Sequence, residues 1–395
     1  MRENIIRSLF NELDKVTQYA ILHHIDKIYD KDDDIDFIVG LNYKTMLQFI
    51  KKFVHKYNIY LFNTYLIDID IYRFDIGFFE NEIFERVELD CTCNSKGKDF
   101  LQIKTSQLLR KRILVNVKEN DFYKISNQDE IEYYLKKKAF KLMDISNYLD
   151  YFQSLDKSVN IEQLESQYNN YYKYFQSNSF KIKFKISKLI LLFYRLRNKQ
   201  ALVISILGPD GSGKSTIIEK IEQYPFFIYN YYFHLKPIGR DESKSVTIDD
   251  PHAKPVYSSL KSYLKLFYFI YQYNFGWIKN ILKLKIKSSL VIFDRYYDDL
   301  LVDNKRYRYG GSKTVAKIAR LFIPKPDLYF ILTADPKVIY ERKQEVPFEE
   351  LERQVKAYRE LADGKRYFNI DVNKTPEEIV KEITVIIMDK INERY

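Results

Sequence analysis

A glycine-rich segment between an apolar run and a helical pattern restricts the folds open to the second half of the chain. The apolar run is residues 201–207 (ALVISIL), and the segment Gly208–Thr216 (GPDGSGKST) leads directly into IIEKIEQ. Glycines let backbone N–H groups wrap a phosphate, and the amino terminus of a helix adds partial positive charge. This order of strand, loop and helix predicts a phosphate-binding loop in an α/β domain, with a parallel sheet covered by helices on both faces.

The same loop predicts a binding site for ATP and Mg²⁺. Lys214 is placed to reach the β and γ phosphates, and the Ser215 hydroxyl is placed to ligate the metal. A glycine turn that binds no nucleotide is the alternative, but every consensus position and both flanks are present. The residues predicted to bind the nucleotide are Gly208, Asp210, Gly211, Ser212, Gly213, Lys214, Ser215 and Thr216.

Three more apolar runs follow the first, and they locate the edge of the sheet where chemistry is expected. Residues 290–293, 328–332 and 367–372 alternate with helical stretches, as parallel strands and their crossover helices do. The second of the four runs ends in Asp294 and Arg295. Both side chains are therefore predicted at the carboxyl end of a parallel strand, where open α/β sheets bind ligands.

Four charged side chains are candidates for catalysis beside the loop. Asp294 is suited to hold the water shell of the metal or to orient the acceptor, and Arg295 to clamp an anionic acceptor or the transferred phosphoryl group. A plain salt bridge at the strand end is the alternative for this pair. Arg342 or Lys343 is a candidate lid over the phosphates, and a solvated helix face is the alternative there.

Together these motifs resemble thymidylate kinases over residues 200–395. The resemblance rests on the loop with its Asp210 and on four further segments: DRY (294–296), DPKVIYERK (335–343), YRELAD (358–363) and NIDV (369–372). It implies that Lys214 contacts phosphates, that Arg295 contacts the acceptor phosphate and that lid arginines such as Arg342 stabilise the transferred group. The implied activity is transfer of the γ-phosphoryl group of ATP to a nucleoside monophosphate, dTMP or a related one, without a covalent nucleophile.

Two departures from that family bear on the acceptor. The usual Arg-x-Pro of the second strand is replaced by FHLKP (233–237), and the DRY is followed by YDDLLVDNKRYRYGGS (297–312). The side chains predicted to bind the acceptor are Asp210, Arg295, Tyr296, Arg306 and Arg308, with Asp298 and Asp299 as further candidates. His252, in DPHAKP (250–255), lies near the acceptor in one interpretation and is an ordinary turn histidine in the other.

These departures leave two alternative functions open beside the nucleotide kinase. The first is a kinase that acts on a sugar or surface-glycan acceptor near the membrane. The second is a regulatory protein that binds NTP without turnover. Nucleotide binding that persists without acceptor-stimulated ADP release distinguishes the second from both kinases.

An acidic turn marks the first half of the chain. Asp34 and Asp36 leave an apolar strand (35–39) on the same side, and Asp90 in a later strand can add a third carboxylate, as two-metal nucleotidyl transfer needs. This order of elements resembles the nucleotidyltransferase fold over about residues 15–120, which implies an α+β domain. Three interpretations stay open: an active metal site, a degenerate fold used for binding or regulation, and a solvated acidic turn. The further candidates for the third carboxylate are Asp68, Asp70 and Asp75.

The character of the sequence changes between the two halves of the chain. We predict domains at residues 1–178 and 200–395, joined by a basic amphipathic helix at 179–199.

The charge of the chain indicates the kind of partner it can bind. The net charge of +10 suits phosphate-bearing partners or an anionic membrane surface, and it indicates no specific nucleic acid. The basic helix and the aromatic, lysine-rich stretch 264–287 could lie on the inner face of a membrane, or could pack on protein. Without a secretory or membrane-spanning pattern, a cytoplasmic location is expected.

Overall fold

The computed structural model of the protein separates into two compact units, Met1–Asn198 and Lys199–Tyr395. The structure describes the chain except residues 32, 69–70, 82, 94–103, 198–200, 225–226, 228, 239–251, 253, 288 and 394–395. Each unit has its own sheet. Within the described part of the chain, no helix is both long and apolar enough to span a bilayer.

The first unit is an α+β structure around a mixed sheet. Its strands are β1 (Tyr19–Ile21), β2 (Ile35–Val39), β3 (Tyr60–Asp68), β4 (Ile71–Glu80), β5 (Ile83–Cys93), β6 (Ile113–Val117) and β7 (Asn120–Lys124). Its helices are α1 (Arg2–Val16), α2 (Tyr43–Lys56), α3 (Thr105–Arg110), α4 (Asn127–Lys141), α5 (Leu149–Leu155), α6 (Ile161–Gln176) and α7 (Asn178–Arg197). The strand order is β3-β4-β5-β2-β1-β7-β6.

The register of the central strands places charged residues side by side. β2 pairs with β5 in parallel, with Asp36 opposite Asp90, and β4 pairs with β5 antiparallel, with Arg73 opposite Asp90. Residues 65–79 contribute to two strands, β3 and β4, which pair antiparallel. Directly opposed residues share a face of the sheet, so these charges lie together.

Two helices of the first unit show how the sequence sets local structure. α4 begins after Ser126, whose side chain accepts a hydrogen bond from the Asp129 N–H at 3.2 Å, as the cap of a helix does. The basic helix is α7, which belongs to this unit and contacts α6 and β3. Ile182, Ile190 and Phe193 of α7 are exposed between its lysines.

The second unit alternates strands and helices. Its strands are β8 (Leu202–Leu207), β9 (Tyr229–His234), β10 (Ser289–Asp294), β11 (Leu328–Thr333) and β12 (Tyr367–Asp371). Its helices are α8 (Lys214–Glu222), α9 (Ser259–Gly276), α10 (Leu282–Leu284), α11 (Asp298–Val302), α12 (Lys313–Arg320), α13 (Pro336–Arg342), α14 (Phe348–Arg359) and α15 (Pro376–Asn392). A π-helical turn, Trp277–Ile281, joins α9 to α10.

All strand pairs of the second sheet are parallel, in the order β12-β11-β8-β10-β9. Every residue of β8 and β11 is buried, which shows that both faces of the sheet are covered. The four predicted runs are strands, but β9 comes between the first two of them, so the strand ending at Asp294 is the third in chain order. The sequence did not predict β9, because this strand is half-exposed and rich in tyrosine and therefore lacks the aliphatic run of a buried parallel strand.

Candidate active site

The glycine-rich loop connects the central strand β8 to α8. Gly208, Gly211 and Gly213 have φ values of +144°, +84° and +82°. A Cβ on Gly208 would lie 2.5 Å from the Leu332 carbonyl oxygen, whereas a Cβ on Gly213 would meet no atom within 4 Å. Gly208 is therefore required for packing, and Gly213, at the amino terminus of α8, for the left-handed backbone that turns N–H groups toward a ligand.

Lys214 folds back over this loop. Its Nζ donates hydrogen bonds to the carbonyl oxygens of Gly208 (3.0 Å) and Pro209 (2.7 Å) and lies 3.7 Å from Asp210 Oδ1. Burial and the nearby Arg295 lower the pKa of Lys214 to about 8. An ammonium group held on backbone carbonyls in this way can exchange them for phosphate oxygens.

A cavity of about 420 Å³ opens beside the loop. Its lining contains five cationic side chains and two carboxylates, so it favours an anionic ligand. The lining residues are Asp210, Gly211, Gly213, Lys214, Ser215, Thr216, His234, Asp294, Arg295, Arg306, Arg342 and Lys343. The structure thus brings together the predicted loop, the predicted strand-end pair and both predicted lid cations.

Arg295 is rigidly held at the wall of this cavity. Its backbone adopts the left-handed region (φ +66°), a conformation that costs a non-glycine residue energy and clusters at functional sites. Its Nη1 donates to Asp299 Oδ2 at 2.8 Å, and its Nη2 donates to Asp210 Oδ1. The hydroxyls of Tyr307 and Tyr358 donate to the Asp299 carboxylate. Asp299 is therefore a positioning residue for Arg295, a role that sequence reasoning missed.

Asp210 connects three cations of the site. Its second oxygen, Oδ2, accepts a hydrogen bond from Arg306 Nη1, while Oδ1 faces Arg295 and Lys214. Burial opposes its charge, but Arg295 and Lys214 outweigh burial and lower the pKa of Asp210 below its ordinary value. The carboxylate thus holds the positive groups together at the cavity.

Asp294 has the features expected of a group that meets a metal-bound water. Its Oδ2 contacts His234 Nδ1 (3.2 Å) and the Tyr232 hydroxyl (3.1 Å). Among the described residues, none hydrogen-bonds its other oxygen, the buried Oδ1. Burial raises the pKa of Asp294, but the hydrogen bond with His234 and the charge of Lys214 bring it below its ordinary value. A charged carboxylate with a spare oxygen, beside the Ser215 hydroxyl, fits the donor set that Mg²⁺ prefers.

The structure corrects several predicted acceptor residues. Tyr296 is fully buried in the core with its hydroxyl on the Pro324 carbonyl (2.7 Å), because the turn after Arg295 directs it inward. Arg308 stacks on Tyr257 and donates to the Pro255 carbonyl instead of lining the cavity. Asp298 is likewise buried, where it accepts a hydrogen bond from Arg320 Nε at 2.9 Å.

His252 pairs with Asp303 (2.9 Å) and is not among the cavity residues. Its neighbours Asp250, Pro251 and Ala253 lie outside the described residues. The Arg306 backbone N–H also donates to Asp303 Oδ1, at 3.2 Å. His252 and the turn that carries Arg306 thus share Asp303 as a partner.

The three carboxylates predicted in the first unit do meet. Asp34, Asp36 and Asp90 each offer an oxygen within 4.8 Å of the others. Arg73 lies among them, and Lys137 binds Asp36 Oδ2 at 3.2 Å. Asp75 is fully buried and bonded to Asn63, whereas Asp70 and the side chain of Asp68 lie outside the described residues.

A parallel sheet, a complete phosphate-binding loop and a cation-lined cavity at the strand ends define the chain as a P-loop phosphotransferase. The probable thymidylate kinase of Methanosarcina barkeri (strain Fusaro / DSM 804) is 30% identical over 207 residues, covering 47% of this chain and 96% of the relative. The thymidylate kinase of Malacoplasma penetrans (strain HF-2) is 23% identical over 220 residues, covering 49% and 98%. The chain belongs to the thymidylate kinase family through about half of its length.

The crystal structure of thymidylate kinase from Ehrlichia chaffeensis is 19% identical, covers 47% of this chain and 98% of its own, and superposes with a TM-score of 0.34. No protein-family model matches the chain.

Proposed function

We propose that the second unit transfers the γ-phosphoryl group of ATP to a nucleoside monophosphate, dTMP or a related one. The observation that carries the proposal is the shared cavity of Lys214, Asp294, Arg295, Arg306 and Arg342 beside the phosphate-binding loop. Membership of the thymidylate kinase family supports the same acceptor class.

In this proposal, some residues of the cavity bind the phosphates of ATP and others bind the phosphate of the acceptor. The loop N–H groups and Lys214 hold the β and γ phosphates of ATP, and Arg342 with Lys343 covers the group in transfer. Arg295 and Arg306 bind the phosphate of the acceptor. An oxygen of that phosphate attacks the γ phosphorus, the bond to the β–γ bridging oxygen breaks, and ADP leaves with its electron pair. Catalysis comes from alignment and charge neutralisation, so no enzyme-bound intermediate forms.

Ser215 and Asp294 would hold Mg²⁺, directly or through water. When bound, the ion neutralises charge that develops on the phosphate oxygens. Asp294 keeps a lowered pKa through His234, and this favours the charged carboxylate that such a role needs.

Arg306 takes the place of the arginine missing from the second strand. Lys236, within the FHLKP segment, does not line the cavity: its Nζ donates to Gln272 at 2.6 Å and lies 4.3 Å from the centre of the Phe269 ring. Burial and the nearby Lys265 lower the pKa of Lys236 to about 8. Arg306 instead enters the cavity from the segment after the DRY. In this proposal it supplies the second cation for the acceptor phosphate.

A sugar or glycan acceptor near a membrane is the second candidate function, and the outer face of α9 favours it. Leu264, Phe267 and Tyr271 are exposed there, with Phe267 at 71%, and Ile278 is exposed in the π-helical turn that follows. Residues 258–293 contain six lysines and no acidic residue. Exposed apolar side chains among lysines suit contact with anionic lipid.

Steady-state ADP release tests both candidates. The purified protein is assayed with ATP and Mg²⁺, without acceptor and with dTMP, the other nucleoside monophosphates and a panel of monosaccharides. The proposal predicts strong stimulation by dTMP or a related nucleotide. Stimulation by a sugar alone supports the second candidate, and ATP binding with no stimulated turnover supports the regulatory alternative.

Vesicle sedimentation tests the membrane surface separately. The second candidate predicts that the protein binds vesicles containing phosphatidylserine but not vesicles of phosphatidylcholine. The double substitution Leu264→Glu and Phe267→Glu should abolish this binding, whereas Leu114→Glu, at an exposed position of the first unit, should retain it. Vesicle binding that neither change affects would show that the outer face of α9 does not contact the membrane.

A further inference from the structure

The carboxylate cluster of the first unit lies where the nucleotidyltransferase resemblance implies divalent cations. Its members are Asp34 before β2, Asp36 on β2 and Asp90 on β5. Two-metal chemistry requires several free carboxylate oxygens around each cation. Whether these oxygens are free therefore decides whether the cluster fits a metal.

A guanidinium already bonds both oxygens of Asp90 and one oxygen of Asp34. Arg73 Nε donates to Asp90 Oδ1 at 2.6 Å, and Nη2 donates to Asp90 Oδ2 at 2.7 Å and to Asp34 Oδ2 at 2.8 Å. Nη1 donates to Glu88. The bidentate pair with Asp90 is the strongest geometry available to an arginine and a carboxylate. A cation could reach Asp90 only by displacing this group.

Asp36, the third carboxylate of the cluster, is paired with a different cation, Lys137. Asp36 Oδ2 accepts from Lys137 Nζ at 3.2 Å and contacts His23 Nε2 at 2.6 Å. Burial opposes the charge of Asp36, but His23 and Lys137 lower its pKa below the ordinary value. The cluster is thus neutralised from two sides by groups of the chain itself.

The sheet fixes Arg73 in this position. Arg73 on β4 stands directly opposite Asp90 on β5, and Asp36 stands opposite Asp90 from the other side. The Arg73 side chain is 13% exposed. Burial, with the charges of Asp36 and Asp34, raises the pKa of Asp90 to about 7 against the effect of Arg73, so the charged form of Asp90 depends on the cation beside it.

We infer that Arg73 holds the place of a divalent cation in the first unit, so that the carboxylate cluster is a closed ion-pair network that binds metal only when Arg73 is removed. The residues do not fit a metal centre while Arg73 is present. Of the three interpretations of the acidic turn, this inference favours a degenerate fold, and it is independent of the function proposed for the second unit.

Manganese binding to the whole protein without nucleotide tests the inference directly. Electron paramagnetic resonance of Mn²⁺ should give the same titration for the wild type and for Asp34→Asn, because the cluster takes up no ion in either. Binding by the wild type that Asp34→Asn abolishes would overturn the inference.

Removing the arginine gives the complementary test. Arg73→Ala should melt at a lower temperature than the wild type, recover several degrees when excess Mg²⁺ is added, and gain a Mn²⁺ site that Asp34→Asn removes. The control is Arg112→Ala, which breaks an ion pair with Asp14 elsewhere in the same unit and should melt lower without recovery. An Arg73→Ala protein that melts like the wild type, or that Mg²⁺ does not stabilise, contradicts the inference.

Discussion

Both units place an arginine between carboxylates, and the two arrangements have opposite consequences. Arg295 is held by Asp299 and Asp210, yet it lines a cavity of about 420 Å³ in which cations outnumber acids. Arg73 is held by Asp90 and Asp34 and fills the space between them. The comparison shows that an arginine–carboxylate pair prepares a binding site only where open volume and excess charge remain beside it.

The largest expected effect comes from removing the cation that holds the ATP phosphates. Lys214→Ala should lower phosphoryl transfer by about 10³-fold or more, as loss of a preorganised charge at the reacting group does. Acceptor-stimulated ADP release measures this loss, and far-ultraviolet circular dichroism should show an unchanged fold. Lys220 lies on α8 like Lys214, and Lys220→Ala breaks only its surface pair with Glu377 of α15, so this control should retain full activity. Undiminished turnover in Lys214→Ala would remove the loop from the mechanism.

The next largest expected effect is a loss of stability in the first unit, without a loss of activity in the second. Arg73→Ala leaves Asp90 buried without its partner, a change that typically costs about 3–5 kcal/mol in the free energy of unfolding. Chemical denaturation monitored by fluorescence measures this loss. Phosphoryl transfer below the melting temperature should stay at the wild-type level, because Arg73 belongs to the closed cluster. A loss of turnover without a loss of stability would show that the first unit takes part in the reaction.

A smaller effect is expected on the KM for the acceptor, and it tests which cavity residues bind the acceptor phosphate and which bind ATP. Arg306→Ala should raise the KM for the acceptor by about 10- to 100-fold, the range for one lost charge-assisted contact, and should change the KM for ATP little. Lys236→Ala removes a lysine that does not line the cavity and should leave the acceptor KM within about twofold. Initial rates with either substrate varied give both constants. An effect of Arg306→Ala on ATP alone would move Arg306 to the nucleotide side.

The smallest expected effect is on pH dependence. The pKa of Lys214 is about 8 in the free protein, so its ammonium form, which binds phosphate, is lost as the pH rises through 8. The affinity for ATP should fall by up to about tenfold between pH 7 and pH 9, following the protonated fraction. Isothermal titration calorimetry at several pH values measures the change. In Lys214→Arg the guanidinium stays charged, and the affinity should be nearly flat over this range.

The sequence was sufficient for the phosphate-binding loop because all its parts are contiguous. Lys214 and Ser215 follow from nine consecutive residues, and Asp294 and Arg295 follow from their position at a strand end. Tyr296 could not be placed, since the direction of its side chain depends on the left-handed turn at Arg295. That conformation is costly for arginine and leaves no mark in the residue pattern.

Arg73 was missed for a related reason. Its bonds to Asp90 arise from the antiparallel register of β4 and β5, and the residue pattern over 65–79 does not mark where β3 ends and β4 begins. Cross-strand neighbours depend on where a strand begins and turns, and an alternating polar pattern leaves that register open. The three carboxylates could be predicted from their strands, whereas the cation among them could not.

Phosphorus-31 nuclear magnetic resonance of the reaction mixture tests the contrast between the two units most directly. The protein is incubated with ATP, Mg²⁺ and the nucleotide that stimulates turnover best, and all phosphorus products are followed together. We expect ADP and the phosphorylated acceptor in equal amounts, with no pyrophosphate. Pyrophosphate that disappears in Asp34→Asn would contradict a closed ion-pair network in the first unit, because the carboxylate cluster would then be an open, metal-dependent site.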